Sequence, residues 1–377
     1  MIKVLMVFGT RPEAIKMAPL YFELKNRDSI DVRICVTSQH REMLDQVLEI
    51  FQIVPEYDLD IMKKSRSLHE SVSIMISSLP RVFDDFDPKI VLVHGDTAST
   101  LATTIAAFYS NILVGHVEAG LRTGDLKFPW PEEGNRKLVG AIANLHFCPT
   151  SKSQENLLAE GVLAENVYVT GNTVIDALKM VVLKHFENSD KNIFLKSIDQ
   201  RLNGANRIIL VTGHRRENFG SGILQICEAL KKIAIDNSEV LIVYPIHLNP
   251  NIKHPVKSML ANVNNIVLLP PLSYVNFVGL MYFSTLILTD SGGIQEEGPS
   301  LGKPVLVMRD LTERPEAVEA GTVKLIGRKT ENIVRSVNEL LADQNLYKSM
   351  ANSQNPYGDG QASIRISNIL EKTLVKK

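Results

Sequence analysis

Short, apolar, β-branched segments alternate with longer amphipathic segments along most of the 377-residue chain. Such alternation predicts parallel sheets whose strands are joined by right-handed helical crossovers. Continuously apolar strands are typical of sheets that are covered on both faces. Twelve strands are too many for one comfortable open sheet, so we expect two sheets and two domains. The predicted strands are Lys3–Phe8, Val32–Thr37, Ile90–Val93, Ile112–His116, Leu145–Phe147, Val167–Thr170, Arg207–Thr212, Val240–Tyr244, Ile266–Leu269, Leu286–Thr289, Pro304–Met308 and Val323–Ile326.

A charged segment near the middle of the chain, Lys184–Gln200, has little strand character and separates the two sets of strands. We therefore predict an α/β protein with a Rossmann-like domain over residues 1–172 and a second over residues 173–360. The apolar rhythm of residues 361–377 predicts a final helix that packs back on the first domain.

The composition excludes several classes of protein. Lys and Arg number 41 against 42 Asp and Glu, and 45% of the residues are hydrophobic. A disordered chain or a general nucleic-acid binder would show a larger net charge. Three cysteines without a Cys-x-x-Cys pair predict buried thiols in a reducing compartment rather than disulfides or zinc. Since no apolar segment reaches the roughly 20 residues of a membrane span, and no signal-peptide core is present, we expect a cytoplasmic protein.

Ligands of open α/β sheets bind beyond the carboxyl ends of the strands, so the residues at those ends are candidates for a site. After the first strand, Gly9 permits a tight turn and Pro12 suits the start of a helix. The helix N-terminus attracts anions, and Arg11 and Lys16 add positive charge, which predicts a phosphate site. The alternative is a capped helix with two solvated cations. The segment is neither Gly-x-Gly-x-x-Gly nor a P-loop, which disfavours hydride transfer and P-loop phosphate chemistry.

Three carboxylates, Asp96, Glu118 and Glu132, follow neighbouring strands of the first set. Each one alone could cap a helix or complement its dipole. Together they are the groups that proton transfer needs, provided that burial or like charge raises one pKa.

The second half of the chain repeats this pattern. His214 is either a structural histidine or a proton donor or phosphate partner. The strand before Ser291-Gly292-Gly293 runs into a helix start with bare backbone N–H groups, which predicts a diphosphate cradle. Glu297 is placed to bind ribose hydroxyls, and Arg314 offers a further phosphate contact. The pairs Asp58/Asp60 and Asp85/Asp87 do not follow convincing strand ends, so we expect no metal site.

At these residues the chain resembles the bacterial non-hydrolysing UDP-N-acetylglucosamine 2-epimerases. The resemblance covers essentially the whole chain and rests on GTRPEAIKMAPL at 9–20, VHGD at 93–96, HVEAGLRTG at 116–124, TGNTVIDA at 170–177, and on 129–136, 212–218 and 290–302. It implies a glycosyltransferase-B-like fold with the active site in the interdomain cleft. It also implies interconversion of UDP-N-acetylglucosamine and UDP-N-acetylmannosamine without a metal, NAD or other cofactor. A homodimer is the usual assembly, and the product feeds surface polysaccharide synthesis; no nucleic-acid or membrane partner is expected.

The resemblance also implies roles for individual residues. A base removes the C2 proton while UDP leaves C1, and the resulting 2-acetamidoglucal is reprotonated on its other face as UDP adds back. The matching catalytic set is Asp96, Glu118, Glu132 and His214. The matching substrate-binding set, in which Phe277 stacks near uracil, is Arg11, Lys16, Arg136, Phe277, Ser291, Gly292, Gly293, Glu297 and Arg314. A second UDP-N-acetylglucosamine can act as an activator in the family, and the matching residues are Gln39, Glu42, Arg66, Arg215 and His247.

Three alternatives stay open at this point. A hydrolysing epimerase that releases N-acetylmannosamine and UDP shares the same motifs, although no appended kinase domain is seen. A glycosyltransferase of the same fold is the second alternative. A non-catalytic sensor of nucleotide sugars is the third, but it could dispense with Asp96, Glu118 and Glu132, which are all present.

Overall fold

The computed structural model describes residues 1–37, 41–61 and 67–374. The chain forms two compact units, one of residues 1–177 and 357–377 and the other of residues 178–356. Each unit is built on one parallel sheet whose strands are connected mainly by helices. The expected class, two parallel-sheet α/β domains, is therefore confirmed.

The first unit contains a seven-stranded parallel sheet. Its strands lie in the order β3-β2-β1-β4-β5-β6-β7, so the direction of winding reverses between β1 and β4. In open α/β sheets such a reversal opens a crevice at the carboxyl ends of the strands, and this is where ligands bind. The strands are β1 Ile2–Phe8, β2 Ile30–Val36, β3 Tyr57–Asp58, β4 Ile90–His94, β5 Leu113–Val117, β6 Leu145–Cys148 and β7 Val167–Val169. The helices are α1 Arg11–Lys25, α2 Arg41–Phe51, α3 Leu68–Phe86, α4 Ala98–Tyr109, α5 Glu132–Ile142, α6 Ser151–Ala159, and α7 Thr173–His185, which continues into the second unit.

The last helix, α16 Ala362–Leu374, belongs to the first unit and packs against α1. The side chain of Asp176 accepts hydrogen bonds from the backbone N–H of Ser363 (2.7 Å) and of Ala362 (3.3 Å), which satisfies free donors at the start of α16. Near the other end, Glu371 pairs with Arg27 and accepts from the Ser29 hydroxyl. The apolar face and these polar anchors together attach the end of the chain to the first unit.

The second unit contains a six-stranded parallel sheet in the order β10-β9-β8-β11-β12-β13, with its reversal between β8 and β11. Its core consists of aliphatic side chains from the central strands and from the helices that cover them. The strands are β8 Arg207–Thr212, β9 Val240–Pro245, β10 Ile266–Leu269, β11 Leu286–Thr289, β12 Val305–Val307 and β13 Val323–Leu325. The helices are α8 Lys191–Ile198, α9 Ser221–Asp236, α10 Pro250–Leu260, α11 Tyr274–Phe283, α12 Gly292–Ser300, α13 Pro315–Glu319, α14 Thr330–Ala342 and α15 Gln344–Asn352.

All twelve predicted strands are present, with ends that differ by at most two residues. The additional strand is β3, two residues at the edge of the first sheet that pair with the end of β2. It carries no apolar run, so hydrophobic periodicity does not reveal it. Asp58 ends this strand, so the expectation that the Asp58/Asp60 pair follows no strand end was wrong. Even so, the described residues contain no group of three His, Cys, Asp or Glu side chains arranged to hold a metal ion.

None of the helices in the described ranges is both long and apolar enough to cross a membrane.

Candidate active site

Glu13 joins the two loops at the reversal point of the first sheet. One carboxylate oxygen, Oε2, accepts from the backbone N–H of Gly9 (3.0 Å) and Thr10 (2.8 Å) in the β1–α1 loop. The other, Oε1, accepts from the hydroxyls of Thr97 (2.6 Å) and Thr100 (3.3 Å) at the start of α4. Burial raises the pKa of Glu13, and these hydrogen bonds partly oppose that shift. Glu13 was not among the predicted site residues; the signal for its role was the capping-box spacing Thr10-x-x-Glu13.

Glu118 directly follows β5, and its carboxylate is buried and hydrogen-bonded among the loops at the carboxyl ends of the strands. Its side chain is only 9% exposed, and Oε2 accepts a hydrogen bond from Lys16 Nζ and another from Asn172 Nδ2 (2.8 Å). His94 Nε2 lies 3.9 Å from the same oxygen. The backbone of Glu118 has φ 61°, a left-handed conformation that costs a residue other than glycine on the order of 1 kcal/mol and is concentrated at functional sites. The predicted base and the predicted phosphate ligand Lys16 are thus direct partners.

Asp96 forms an ion pair with Arg136, which lies on α5. Arg136 reaches Asp96 Oδ2 through Nε (2.9 Å) and Nη2 (2.6 Å), while its Nη1 donates to Glu133 Oε2 (3.0 Å). Glu133 is fully buried and also accepts from the Gly124 N–H (3.1 Å). Arg136, predicted to bind substrate, therefore connects two carboxylates in this structure. Glu133 was not predicted; its signal was the i,i+3 spacing to Arg136 on one helix face.

Glu132 begins α5, and its Oε2 atom is buried without a hydrogen-bond partner among the described residues. Buried acceptors that lack a partner are rare in folded proteins, because each loses its hydration without compensation. Such an oxygen is available to a ligand or a transferred proton.

Three histidines on the strands of the first sheet, His94, His116 and His146, are almost completely buried. Burial lowers the pKa of His94 to about 4, that of His116 to about 3 and that of His146 to about 4. His116 Nε2 is 2.7 Å from the carbonyl oxygen of Gly95, so a neutral ring donates through that nitrogen. All three rings are therefore neutral at pH 7.

Because burial lowers the pKa of these three histidines, we expect the protein to lose stability in mild acid. Once unfolded, each ring takes up a proton below pH ~6.5, whereas the folded rings stay neutral to pH ~4 or lower. The unfolded state then binds more protons than the folded state. Between pH ~6.5 and ~4, the free energy of unfolding therefore falls by ~1.4 kcal/mol per ring for each unit by which the pH is lowered. Burial raises the pKa of Glu13 and Asp176, which reduces this slope where those groups titrate.

Urea unfolding at pH 7.5, 6.0 and 5.0 measures this slope. The variant His146→Gln should show a slope that is smaller by up to ~1.4 kcal/mol per pH unit, since one buried ring is gone. A free energy of unfolding that stays constant from pH 7.5 to 5.0 would show instead that the folded rings take up protons over the same pH range as the unfolded ones.

Asp290 of the second unit bridges the two loops at the reversal point of its sheet, as Glu13 does in the first unit. It is fully buried at the end of β11, and its carboxylate accepts from the backbone N–H of His214 (2.9 Å) and Arg215 (2.9 Å) and from Asn218 Nδ2 (2.8 Å). These bonds hold the loop after β8 against the end of β11, at the reversal point of the sheet. Asp290 was not among the predicted site residues, although an acidic residue directly after a strand was a signal for it.

His214 lies beside this carboxylate with its side chain 42% exposed, and its Nδ1 is 3.5 Å from Asp290 Oδ1. The ring stacks on His247 with 5.5 Å between centroids. Burial lowers the pKa of His214, Asp290 opposes that shift, and His247 and Arg215 add to it. Burial thus favours the neutral ring, and a bound diphosphate would favour its protonation.

The predicted diphosphate cradle, Ser291-Gly292-Gly293, is the start of α12, as expected. The Ser291 N–H donates to the Thr289 hydroxyl (2.9 Å), which stabilises the turn from β11 into the helix. Arg314, on the loop after β12, pairs with the buried carboxylate of Glu296. Arg215, predicted to contact an activator, lies beside this cradle: its Nη2 is 3.4 Å from where a Cβ on Gly292 would be.

The remaining predicted residues are placed as follows. Arg11 is the first residue of α1, and Glu297 lies on α12 with Oε1 3.5 Å from where a Cβ on Gly293 would be. Phe277 is half-buried on α11, the helix that follows the edge strand β10. In the sheet, β9 and β8 lie between β10 and β11, the strand that precedes the cradle. Gln39 and Arg66 lie outside the described residues, and Glu42 is described only as backbone of α2. The activator role of these residues stays a prediction.

Comparison with known proteins agrees with the fold and with the motifs. The family described as UDP-N-acetylglucosamine 2-epimerase matches residues 22–371. A Campylobacter jejuni protein with that name is 55% identical over 375 residues, which are 98% of this chain and 97% of that protein. The crystal structure of UDP-GlcNAc 2-epimerase from Neisseria meningitidis bound to UDP-GlcNAc has a TM-score of 0.88 and 51% identity over the whole of both chains.

A glycosyltransferase from Rickettsia africae ESF-5, with a TM-score of 0.65 and 15% identity over 100% of this chain and 99% of that one, shares the fold alone. The glycosyltransferase-B-like architecture is thus confirmed independently of sequence similarity. Because the family match covers most of the residues, and the Campylobacter protein shares more than half of its residues with this one, this chain belongs to the UDP-N-acetylglucosamine 2-epimerase family.

Proposed function

We propose that this protein reversibly converts UDP-N-acetylglucosamine to UDP-N-acetylmannosamine by inverting C2 of the sugar. The observation that carries the proposal is the buried Glu118 carboxylate, paired with Lys16 and Asn172 at the reversal point of the first sheet. The relatives named as epimerases, one of them solved with UDP-GlcNAc bound, support the choice of substrate.

The reaction proceeds by elimination and addition. A carboxylate takes the C2 proton as the C1–oxygen bond breaks, and UDP leaves with the bonding electrons, which gives 2-acetamidoglucal. A UDP oxygen then adds to C1, and a second group delivers a proton to the opposite face of C2. Because the two faces need separate proton carriers, more than one ionisable group is required. Asp96, Glu118 and Glu132 are the candidates for these carriers.

The ion pair between Lys16 and Glu118 offers a way to time the proton transfer. In the ligand-free protein, Lys16 stabilises the ionised carboxylate. Lys16 lies in the second turn of α1, whose N-terminus attracts a phosphate, so a bound diphosphate competes for its ammonium group. When the Lys16 ammonium group also contacts a diphosphate, it stabilises the ionised Glu118 carboxylate less, so Glu118 becomes a stronger base. This change occurs only when substrate is bound.

The departing UDP gains negative charge, so its stabilisation lowers the barrier to elimination. Two groups of donors suit this charge in the second unit: the N-terminus of α12 and the side chains of His214, Arg215 and Arg314. The neutral His214 ring can take up a proton as the leaving group develops its charge, because Asp290 lies 3.5 Å from it.

We further propose that the enzyme is non-hydrolysing and that its product serves surface polysaccharide synthesis. The hydrolysing alternative passes through the same elimination but adds water to C1, so it releases free N-acetylmannosamine. In D2O, the non-hydrolysing enzyme should introduce deuterium at C2 of both UDP-sugars, followed by NMR, and should release no stoichiometric free sugar. No deuterium exchange by folded protein would exclude the epimerase, and stoichiometric free N-acetylmannosamine would establish the hydrolase.

A homodimer is part of the same proposal. The first unit exposes large apolar side chains on α4, on α5, which packs against α4, and on the loop before α5, and exposed apolar patches are commonly covered by a partner. Sedimentation equilibrium tests the assembly, and a monomer at micromolar concentration would contradict it. The exposed side chains are Phe108, Tyr109, Phe128, Trp130 and Leu138.

A further inference from the structure

The carboxylate of Glu313 lies at the predicted diphosphate cradle. Glu313 is on the loop between β12 and α13, and its Oε1 is 3.0 Å from the position that a Cβ on Gly292 would occupy. Gly292 is the first residue of α12. A negative charge is therefore held where the free N–H groups of the helix N-terminus favour an anion.

Two arginines hold this carboxylate. Arg215 Nη2 donates to Oε1 (2.7 Å), and Arg309 Nη1 donates to Oε2 (2.6 Å). Burial opposes the ionisation of Glu313, but its own backbone N–H and the two guanidinium groups outweigh burial and lower the pKa of Glu313 to about 2. The side chain consequently carries its charge throughout the ordinary pH range.

The loop that carries Glu313 is attached to α12 on both sides of this residue. The Thr312 hydroxyl donates to Gln295 Oε1 (2.7 Å), and Arg314 pairs with Glu296. The position of the Glu313 side chain over Gly292 is thus a consequence of how the loop docks on the helix. It does not depend on the choice of one rotamer at an otherwise free site.

We propose that Glu313 is an internal competitor of the diphosphate of UDP and limits the affinity of the protein for this nucleotide. The inference rests on the proposed function, because it requires the diphosphate to bind at Ser291-Gly292-Gly293. An incoming phosphate replaces the Glu313 carboxylate as the partner of Arg215, and a Glu313 that stays at Gly292 repels it. The apparent dissociation constant is then the intrinsic dissociation constant divided by the fraction of molecules in which the carboxylate has left the cradle.

A limited affinity suits the proposed reaction. The protein must hold UDP while the glycal is free, and it must afterwards release the epimerised sugar nucleotide. Tight binding of the ground state does not accelerate the chemical step and slows product release once the enzyme is saturated.

Titration calorimetry with UDP and with uridine tests this role. Glu313→Gln keeps the shape of the side chain and removes its charge. We expect UDP to bind this variant about 5–20-fold more tightly and uridine to bind unchanged, since only the diphosphate meets Glu313. The matched control is Glu217→Gln, which removes the other carboxylate bonded to Arg309 (2.5 Å) and should leave the UDP affinity within about twofold of wild type.

The opposite results would overturn the inference. Unchanged or weaker UDP binding by a Glu313→Gln variant with the wild-type unfolding temperature would do so. A second variant, Glu313→Ala, must also tighten UDP binding, because it removes the charge without offering an amide in its place. Equal tightening of UDP and uridine would assign the effect to loop movement instead. A wild-type protein that binds no UDP would refute the proposed function itself, which separates that failure from this one.

Discussion

Glu118→Gln is expected to abolish deuterium exchange at C2 of UDP-N-acetylglucosamine while the protein still binds UDP. The amide has the same shape but cannot accept the C2 proton, and loss of a general base costs about 10²–10⁴-fold in rate. UDP affinity should be retained or modestly raised, because Lys16 loses its carboxylate partner and is available to the diphosphate. Exchange is followed by NMR in D2O, and UDP binding is followed by calorimetry on the same preparation.

The matched control for this variant is Glu160→Gln in the same unit. Glu160 also pairs with basic side chains, Arg122 (2.6 Å) and Lys137 (3.3 Å), but it caps the C-terminal end of α6, a helix that follows β6 and neither of the strands at the reversal point. Its loss should leave the exchange rate within about twofold, since Glu160 bonds to Arg122 and Lys137 and not to a candidate proton carrier. Exchange by Glu118→Gln within tenfold of wild type would remove Glu118 from the proton-transfer step. Loss of UDP binding by a folded variant would reassign it to holding the substrate.

Asp290→Ala should destabilise the second unit by about 3–5 kcal/mol, because it leaves several buried donors without an acceptor. Two of these donors are the partly buried backbone N–H groups of His214 and Arg215, and the third is the buried Nδ2 of Asn218. Without the carboxylate, the loop after β8 loses the three hydrogen bonds that hold it to the end of β11, directly before α12. The variant should therefore lose UDP affinity as well as stability. Urea unfolding gives the first quantity, and calorimetry below the transition gives the second.

Asp310→Ala is the control for this stability effect. Asp310 also pairs with an arginine, Arg328 (2.8 Å), but its side chain is 62% exposed, so its loss should cost less than about 1 kcal/mol. An Asp290→Ala protein that unfolds at the wild-type urea concentration would show that the buried network does not support the loop. Normal UDP binding by a destabilised Asp290→Ala variant would show that the hydrogen bonds of Asp290 support the fold but do not shape the UDP site.

Much of the candidate site could be predicted because of where a parallel sheet places its strand ends. Asp96, Glu118 and His214 each follow a recognisable apolar strand, and the carboxyl ends of parallel strands meet at one edge of a sheet. The Ser291-Gly292-Gly293 turn was predicted for the same reason. The strand β3 was not predicted, because its two residues are too few to show a pattern of apolar and polar positions.

The residues that were missed are those whose role depends on a partner far along the chain. Glu13 has the spacing of an ordinary helix cap, and only the fold brings the hydroxyl of Thr97, 84 residues away, to its second oxygen. In the sequence, Glu313 has no feature that distinguishes it from other charged loop residues. Its partner Arg215 lies 98 residues earlier in the chain, and only the fold brings the two side chains together. No local pattern encodes these pairs, since they form only when two crossovers have been packed onto one sheet.

By itself, the sequence determined the alternation of strands and helices, the two parallel sheets and the family, because these follow from the order of apolar and polar residues and from long motifs. The tertiary structure decided which charges neutralise one another: Lys16 with Glu118, Arg136 with Asp96, and Arg215 with Glu313. The physical reason is that an ion pair depends on distance and burial in three dimensions, and both are set by how the loops meet at the reversal points of the sheets.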